Sequence, residues 1–189
     1  MESGSGSSVH VRDAVEADLA AVTDIFNQAI PGGDAEWTES LHTVDERRSW
    51  MRDRVSEGRP VIVAIDDADR VIGVASYGDF RDSTCREGFR FVVEHSVYLD
   101  DAARGTGAAD RLMDELEARA AAAGMRVMLA TIDGRNERSI AFHSRRGFRE
   151  VGRLPAVGYT FGVWRDFVIL QLDLHPAVDG TPPSTARHT

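Results

Sequence analysis

The run Tyr98-Leu99-Asp100-Asp101-Ala102-Ala103-Arg104-Gly105-Thr106-Gly107-Ala108-Ala109-Asp110 constrains the fold more than any other part of the chain. Leading into it, Phe91, Val92, Val93, Val97 and Tyr98 are β-branched or aromatic; after it, Leu112, Met113, Leu116 and Ala120 recur at helical spacing. A strand therefore passes into a helix through mostly small residues, where backbone approaches a ligand closely. The N–H groups at the head of such a helix, aligned with its dipole, form an anion site of the kind a pyrophosphate occupies without a lysine.

That economy matters because the chain is acidic. With 31 Asp and Glu against 22 Lys and Arg, its net charge is -9. Such a charge repels a nucleic-acid backbone and offers no broad basic face, so no nucleic-acid partner is expected. Anionic ligands must be held locally, by main-chain N–H groups or single arginines. Cys85 is the only cysteine, which excludes an internal disulfide and fits a reducing cytoplasm. The histidines, His10, His42, His95, His143, His175 and His188, show no metal-ligand spacing, so no metal is expected. No apolar run approaches the roughly 20 residues that span a bilayer, so no membrane partner is expected either.

Residues 1–8, mostly Gly and Ser, predict a flexible N-terminal segment, 9–174 a single domain, and the proline-bearing 175–189 a disordered tail. Within the domain a strand at Val9 to Arg12 precedes a helix carrying Leu19, Val22, Ile25, Phe26 and Ile30 on one face, with Asp18 as its N-cap. Thr43 and Glu46 form a capping-box pattern for a second helix that runs to Gly58. Val61 to Ile65 and Val71 to Ser76, joined through Asp66, Asp67 and Asp69, predict an antiparallel hairpin. A strand from Phe89 to Leu99 leads into the turn and its helix, which Gly124 stops. A strand at Val127 to Ile132, a short helix from Asn136 to Arg146 and strands at Phe148 to Val157 and Trp164 to Leu172 complete the chain. The order predicts an α/β (α+β) fold, a mixed, mostly antiparallel central sheet flanked by helices.

Three phosphate-binding patterns compete for the turn. A P-loop needs Gly-Lys-Ser/Thr, which is absent, and a Rossmann fingerprint needs a third glycine where Asp110 stands. The remaining pattern, Arg104-x-x-Gly107-x-Ala109, resembles the Q/R-x-x-G-x-G/A signature of the GNAT acetyltransferases, whose fold has the same element order. Four further blocks narrow the resemblance: Val11 to Ala14, Ala75 to Arg81, Val93 to Tyr98, and Phe161-Gly162-x-Trp164-x-Asp166. They are similar to the subgroup that acetylates phosphinothricin, methionine sulfoximine and methionine sulfone.

The resemblance implies acetyl-CoA as donor and, as acceptor, the amine of a small amino-acid-like compound. It implies main-chain contacts to the cofactor from Val97, Tyr98 and Leu99, and a pyrophosphate cradle from Arg104, Gly105, Thr106, Gly107, Ala108, Ala109 and Asp110. Asn136 contacts the cofactor arm. Glu94 stands at the position of the base, for which burial or a water relay must assist a weakly basic carboxylate. His143 stands where many relatives have a tyrosine acid. Arg81 matches the region that binds the substrate carboxylate. His95 and Ser96, beside Glu94, offer hydrogen bonds to the substrate's polar head, and Trp37 and Phe80 wall the pocket. Thr160 replaces a lysine common in this region of the family. A homodimer is also implied. Two alternatives remain: acetylation of another small amine or a peptide N-terminus, and a non-catalytic acyl-CoA-binding sensor.

Overall fold

A computed structural model of the chain describes residues 8–31, 35–81 and 85–175. Its strands are β1 (His10–Asp13), β2 (Val61–Ile65), β3 (Val71–Asp79), β4 (Val92–Leu99), β5 (Val127–Asp133), β6 (Arg149–Thr160) and β7 (Val163–Asp173). Its helices are α1 (Leu19–Ala29), α2 (Val44–Ser56), α3 (Ala108–Ala122) and α4 (Glu137–Arg145). The strands hydrogen-bond in the order β1-β2-β3-β4-β5-β7-β6. β4 runs parallel to β5, while β1–β2, β2–β3, β5–β7 and β6–β7 run antiparallel. The element order and mixed sheet are those expected from the sequence.

The chain packs as two compact units. The first gathers the described residues up to Gln28, with His42–Ser76 and Val97–Leu116. In it Val22, Ile25 and Phe26 of α1 pack on Val61 and Val63 of β2 and Val74 of β3, which buries the helix face that the three- and four-residue spacing marks. Thr43 and Glu46 cap α2 reciprocally: the Thr43 hydroxyl accepts from the Glu46 N–H at 3.2 Å, and the Glu46 carboxylate accepts from the Thr43 N–H at 2.7 Å. Asp18 does not serve as the N-cap of α1. It ends a 3₁₀ turn, Glu16–Asp18, and its carboxylate accepts from the Val15 N–H at 2.8 Å and both terminal nitrogens of Arg12. The Arg12 guanidinium keeps that carboxyl below its ordinary pKa, and a bidentate pair satisfies more of its lone pairs than a single cap contact could.

The second unit gathers the described residues of Ala29–Leu41, of Tyr77–Ser96 and from Glu117 onward. Here β5 is the axis, paired with β4 on one side and along its whole length with β7 on the other. The strand expected from Phe89 begins only at Val92, because Glu87–Phe89 forms a 3₁₀ turn that sends the Phe89 ring against Phe80, 5.9 Å between centroids. The last hairpin closes through Phe161 and Gly162, with φ of 50° and 73°, between the paired residues Thr160 and Val163. Two residues of positive φ are what a tight hairpin turn requires.

Candidate active site

In the first unit, β4 ends at Leu99 and the chain turns toward α3. Packing against β3 is tight: a Cβ on Gly73 would stand 2.6 Å from Leu99 Cδ2 and 3.2 Å from the Tyr98 carbonyl oxygen. The Tyr98 ring packs in the core, 4.6 Å from Phe26. Asp100 caps the 3₁₀ turn Asp101–Ala103, and Arg104 reaches back to Asp101 at 2.5 Å.

Gly105 and Gly107 then take φ of 82° and 83°. Nothing lies within 4 Å of where their Cβ atoms would be, so conformation, not space, calls for glycine. The Thr106 hydroxyl donates to the Ala103 carbonyl at 2.7 Å and accepts from the Ala108 N–H at 3.4 Å, fixing the turn. The Arg111 N–H donates to the Gly107 carbonyl at 3.1 Å, which places Ala108, Ala109 and Asp110 in the first turn of the helix, ahead of that bond. Gly105, Thr106 and Gly107 are exposed. This donor-rich, lysine-free turn fits a diphosphate.

In the second unit the parallel ladder between β4 and β5 comprises Val92↔Val127, Val93↔Met128 and Glu94↔Leu129. Glu94 is its last rung, while β5 continues to Asp133 on β7. Alternation puts Leu129, Thr131 and Asp133 on the face that carries Glu94. Thr131 Oγ1 donates to Glu94 Oε1 at 2.5 Å. Two residues on, Asp133 pairs with Arg165 at 2.8 Å, both side chains 2% exposed, and also receives the Arg135 N–H at 2.9 Å. Burial works against the Asp133 charge, but the Arg135 amide and guanidinium and Arg165 outweigh it and keep the carboxyl below its ordinary pKa.

Trp37 lies over this region of the hairpin. Its ring is 5.5 Å from that of Phe167, and a Cβ on Gly158 would stand 2.3 Å from Trp37 Cζ3. Glu39 fastens the same segment by accepting from the Phe161 N–H at 2.6 Å. The residues expected to wall and orient a substrate, Trp37 and Phe80, are half-buried, whereas Arg81 is exposed, with its guanidinium 5.2 Å above Phe80 and 5.8 Å above Phe89. Asp82 to Thr84, part of the segment that follows Arg81, lie outside the described residues.

The opposite face of β4 holds His95. Its ring stacks at 5.0 Å on His143 and meets Phe148 at 5.6 Å, and its two nitrogens are buried without a partner among the described residues. Burial, the neighbouring His143 and Arg146 push its pKa well below the ordinary imidazole value. The expectation that His95 sits with Glu94 at a substrate's polar head is therefore corrected: adjacent residues of a strand point to opposite faces, and His95 points into the core. Ser96 is exposed. Burial also lowers the His143 pKa, against the raising effect of its hydrogen bond to Ser139, with Arg146 adding to the fall. Because the Ser139 carbonyl can only accept, His143 Nδ1 carries the proton of that 2.7 Å bond, and Nε2 of the neutral ring is bare. Asn136 is the N-cap of α4, its carbonyl accepting from the Ser139 N–H at 3.0 Å.

Sequence reasoning brought Glu94 and His143 forward but missed Thr131, Asp133 and Arg165. Alternation along β5 marks Thr131 and Asp133 as sharing a face, but only the register with β4 shows that this face is the one Glu94 occupies. Among the described residues no three His, Cys, Asp or Glu side chains gather as metal ligands, and no helix is long and apolar enough to cross a membrane.

Over 169 residues the chain is 43% identical to the L-methionine sulfoximine/L-methionine sulfone acetyltransferase of Pseudomonas aeruginosa, covering 89% of this chain and 96% of that protein. It is 33% identical over 174 residues to the phosphinothricin N-acetyltransferase of Alcaligenes faecalis, covering 92% and 86%. The Salmonella typhimurium acetyltransferase yncA, solved with its cofactor acetyl-CoA, superposes with a TM-score of 0.85 at 36% identity, covering 93% of this chain and 98% of that one. Residues 19–148 match the acetyltransferase (GNAT) family, and with those relatives the chain belongs to it.

Proposed function

We propose that the chain transfers the acetyl group of acetyl-CoA to the amine of a small amino-acid-like compound of the methionine sulfoximine, methionine sulfone or phosphinothricin type, by direct attack in a ternary complex. The observation that carries this reading is Glu94, a half-buried carboxylate on the last rung of the β4–β5 ladder with one oxygen already hydrogen-bonded. A carboxylate so held has its second oxygen left for an ammonium proton, directly or through a water.

When bound, acetyl-CoA supplies the activated thioester. The chain's own residues do the rest. The turn from Gly105 to Asp110 at the head of α3 cradles the diphosphate, with Arg104 at its edge, and Val97, Tyr98 and Leu99 border the cofactor arm. Asn136, its side-chain carbonyl engaged as a cap, orients the head of α4. Glu94 takes the proton that makes the amine nucleophilic, and Arg81 receives the α-carboxylate as a planar, bidentate donor. His143 is the proton donor to the leaving thiolate; its resting Nε2 is bare and burial lowers its pKa, so the proton it gives is one taken up transiently from solvent and readily released.

The same reading makes the enzyme a cytoplasmic homodimer. Leu154 to Trp164 carries no charge in a chain of net charge -9, and Tyr159 and Trp164 form an exposed aromatic pair there, 5.1 Å between centroids. This is the surface that two like-charged copies can bring together.

The test is Glu94→Gln assayed by coenzyme A release over a panel of amines that includes the sulfoximine, sulfone and phosphinate amino acids. Turnover falls by roughly 10²- to 10⁴-fold with acetyl-CoA affinity unchanged. Full turnover in the variant removes Glu94 as base. Faster turnover on amines without a carboxylate, or on a peptide N-terminus, moves the substrate class, and no thiol release with any amine leaves only an acyl-CoA sensor.

A further inference from the structure

We propose that Thr131 is the positioning residue for Glu94, holding its carboxylate in the orientation that acetyl transfer uses. The inference rests on the reading of Glu94 as base. Both side chains are half-buried, and their contact is short, 2.5 Å from Oγ1 to Oε1. An ionised carboxylate has no proton to give, so the hydroxyl must donate, and charge-assisted bonds of this kind are the short, strong ones.

The two partners differ in stiffness, and that difference gives the bond its direction of influence. Thr131 is β-branched, with restricted χ1, and its strand is paired through Ile169 on β7. Glu94 has a long side chain at the point where the β4–β5 ladder stops, with no rung beyond it to confine the carboxylate. A rigid donor on β5 therefore fixes a mobile acceptor on β4. With Oε1 engaged, Oε2 is the oxygen left for the incoming amine. The charged groups farther along β5 and β7 on this face, Asp133 and Arg165, are engaged with each other and with Arg135, so they do not take that place.

The test compares Thr131→Val, which keeps the shape and removes the hydroxyl, with Thr131→Ser, which restores it. Both are measured alone and combined with Glu94→Gln, and Thr131→Ala serves as second variant should the valine not fold. In Thr131→Val, kcat falls about ten- to a hundredfold while the KM for acetyl-CoA stays within about twofold. Thr131→Ser returns to within about threefold of the parent, and adding Thr131→Val to Glu94→Gln costs nothing further, because the hydroxyl acts only through that carboxylate.

The proposal is overturned if Thr131→Val keeps full kcat while Glu94→Gln is impaired. It is also overturned if the valine lowers kcat equally in both backgrounds, which marks a structural role, or if serine fails to rescue. Full activity in Glu94→Gln itself is a different result and removes the base assignment beneath it.

Discussion

His95 and His143 lie ring against ring, 5.0 Å between centroids and tilted by 32°, on the face of β4 opposite Glu94. Three of their four ring nitrogens, both of His95 and Nε2 of His143, are buried without a partner among the described residues; the fourth donates to Ser139. The pair thus divides the second unit chemically. One sheet face carries the charged groups Glu94, Asp133 and Arg165, and the other keeps two imidazoles neutral among Phe142 and Phe148. Charging either ring would set a cation in an apolar layer that already faces Arg146.

That arrangement predicts loss of stability on mild acidification. Burial pushes both histidines below the ordinary imidazole pKa, so the unfolded chain binds protons first as pH falls. Their contribution is complete above the unfolded value of about 6.5 and declines as pH drops from there through the folded values. The melting temperature should fall between pH 7.5 and pH 5.5, and His95→Leu should flatten that fall. A melting temperature constant across the window would show that the pair does not govern it.

Gly158→Ala should loosen the segment that carries Trp37. A Cβ there would stand 2.3 Å from Trp37 Cζ3 and 2.8 Å from Cε3, so the ring must lift off the hairpin. Overpacking of this kind costs about 1–3 kcal/mol. The expected signature is a red-shifted tryptophan emission and a lower melting temperature; an unchanged spectrum would mean that Trp37 is not held by this contact.

How much of this the sequence disclosed depended on the range of the interaction. The glycine-bearing turn into α3, the Thr43–Glu46 cap and the apolar face of α1 are local, set by spacings of a few residues, and the structure has each where the spacing puts it. Asp18 was legible as a capping residue type but not as the partner of Arg12, since the strand that brings Arg12 alongside is not written in the helix pattern. His95 was legible and misjudged: simple alternation already turns it away from Glu94. Thr131 and the Trp37–Gly158 contact were hidden because each needs the register of elements far apart in the chain, which periodicity does not carry.

The Asp133–Arg165 pair predicts a large penalty for breaking it. Removing one partner from an ion pair buried on both sides leaves an uncompensated charge, a loss of about 3–5 kcal/mol. Arg165→Met should therefore lower the denaturant midpoint sharply. Asp133→Asn should do so as well, and because the native carboxyl is held below its ordinary pKa, the parent's advantage over that variant should be full near neutral pH and shrink as pH drops below about 4. Equal midpoints for Arg165→Met and the parent would mean that Arg135 alone satisfies Asp133.

The exposed tip of the last hairpin predicts the assembly state. From Leu154 to Trp164 there is no charge, yet Tyr159, Phe161 and Trp164 are all exposed, an arrangement that solitary surfaces of soluble proteins avoid. The exposed backbone is also interrupted: the β6 register shifts between Leu154 and Gly158, with Pro155 in the bulge and Ala156 at φ of 51°, so a continuous ladder with a second strand is blocked there. Side chains rather than main chain must then make the contact, and Trp164, 63% exposed, is its largest member. Trp164→Glu places a carboxylate from each copy at the contact while leaving the core untouched. Sedimentation should show the mass of two chains for the parent and one for the variant at the same concentration, with the far-ultraviolet circular dichroism of the two identical. A variant that still sediments as two chains would place the contact elsewhere on the surface.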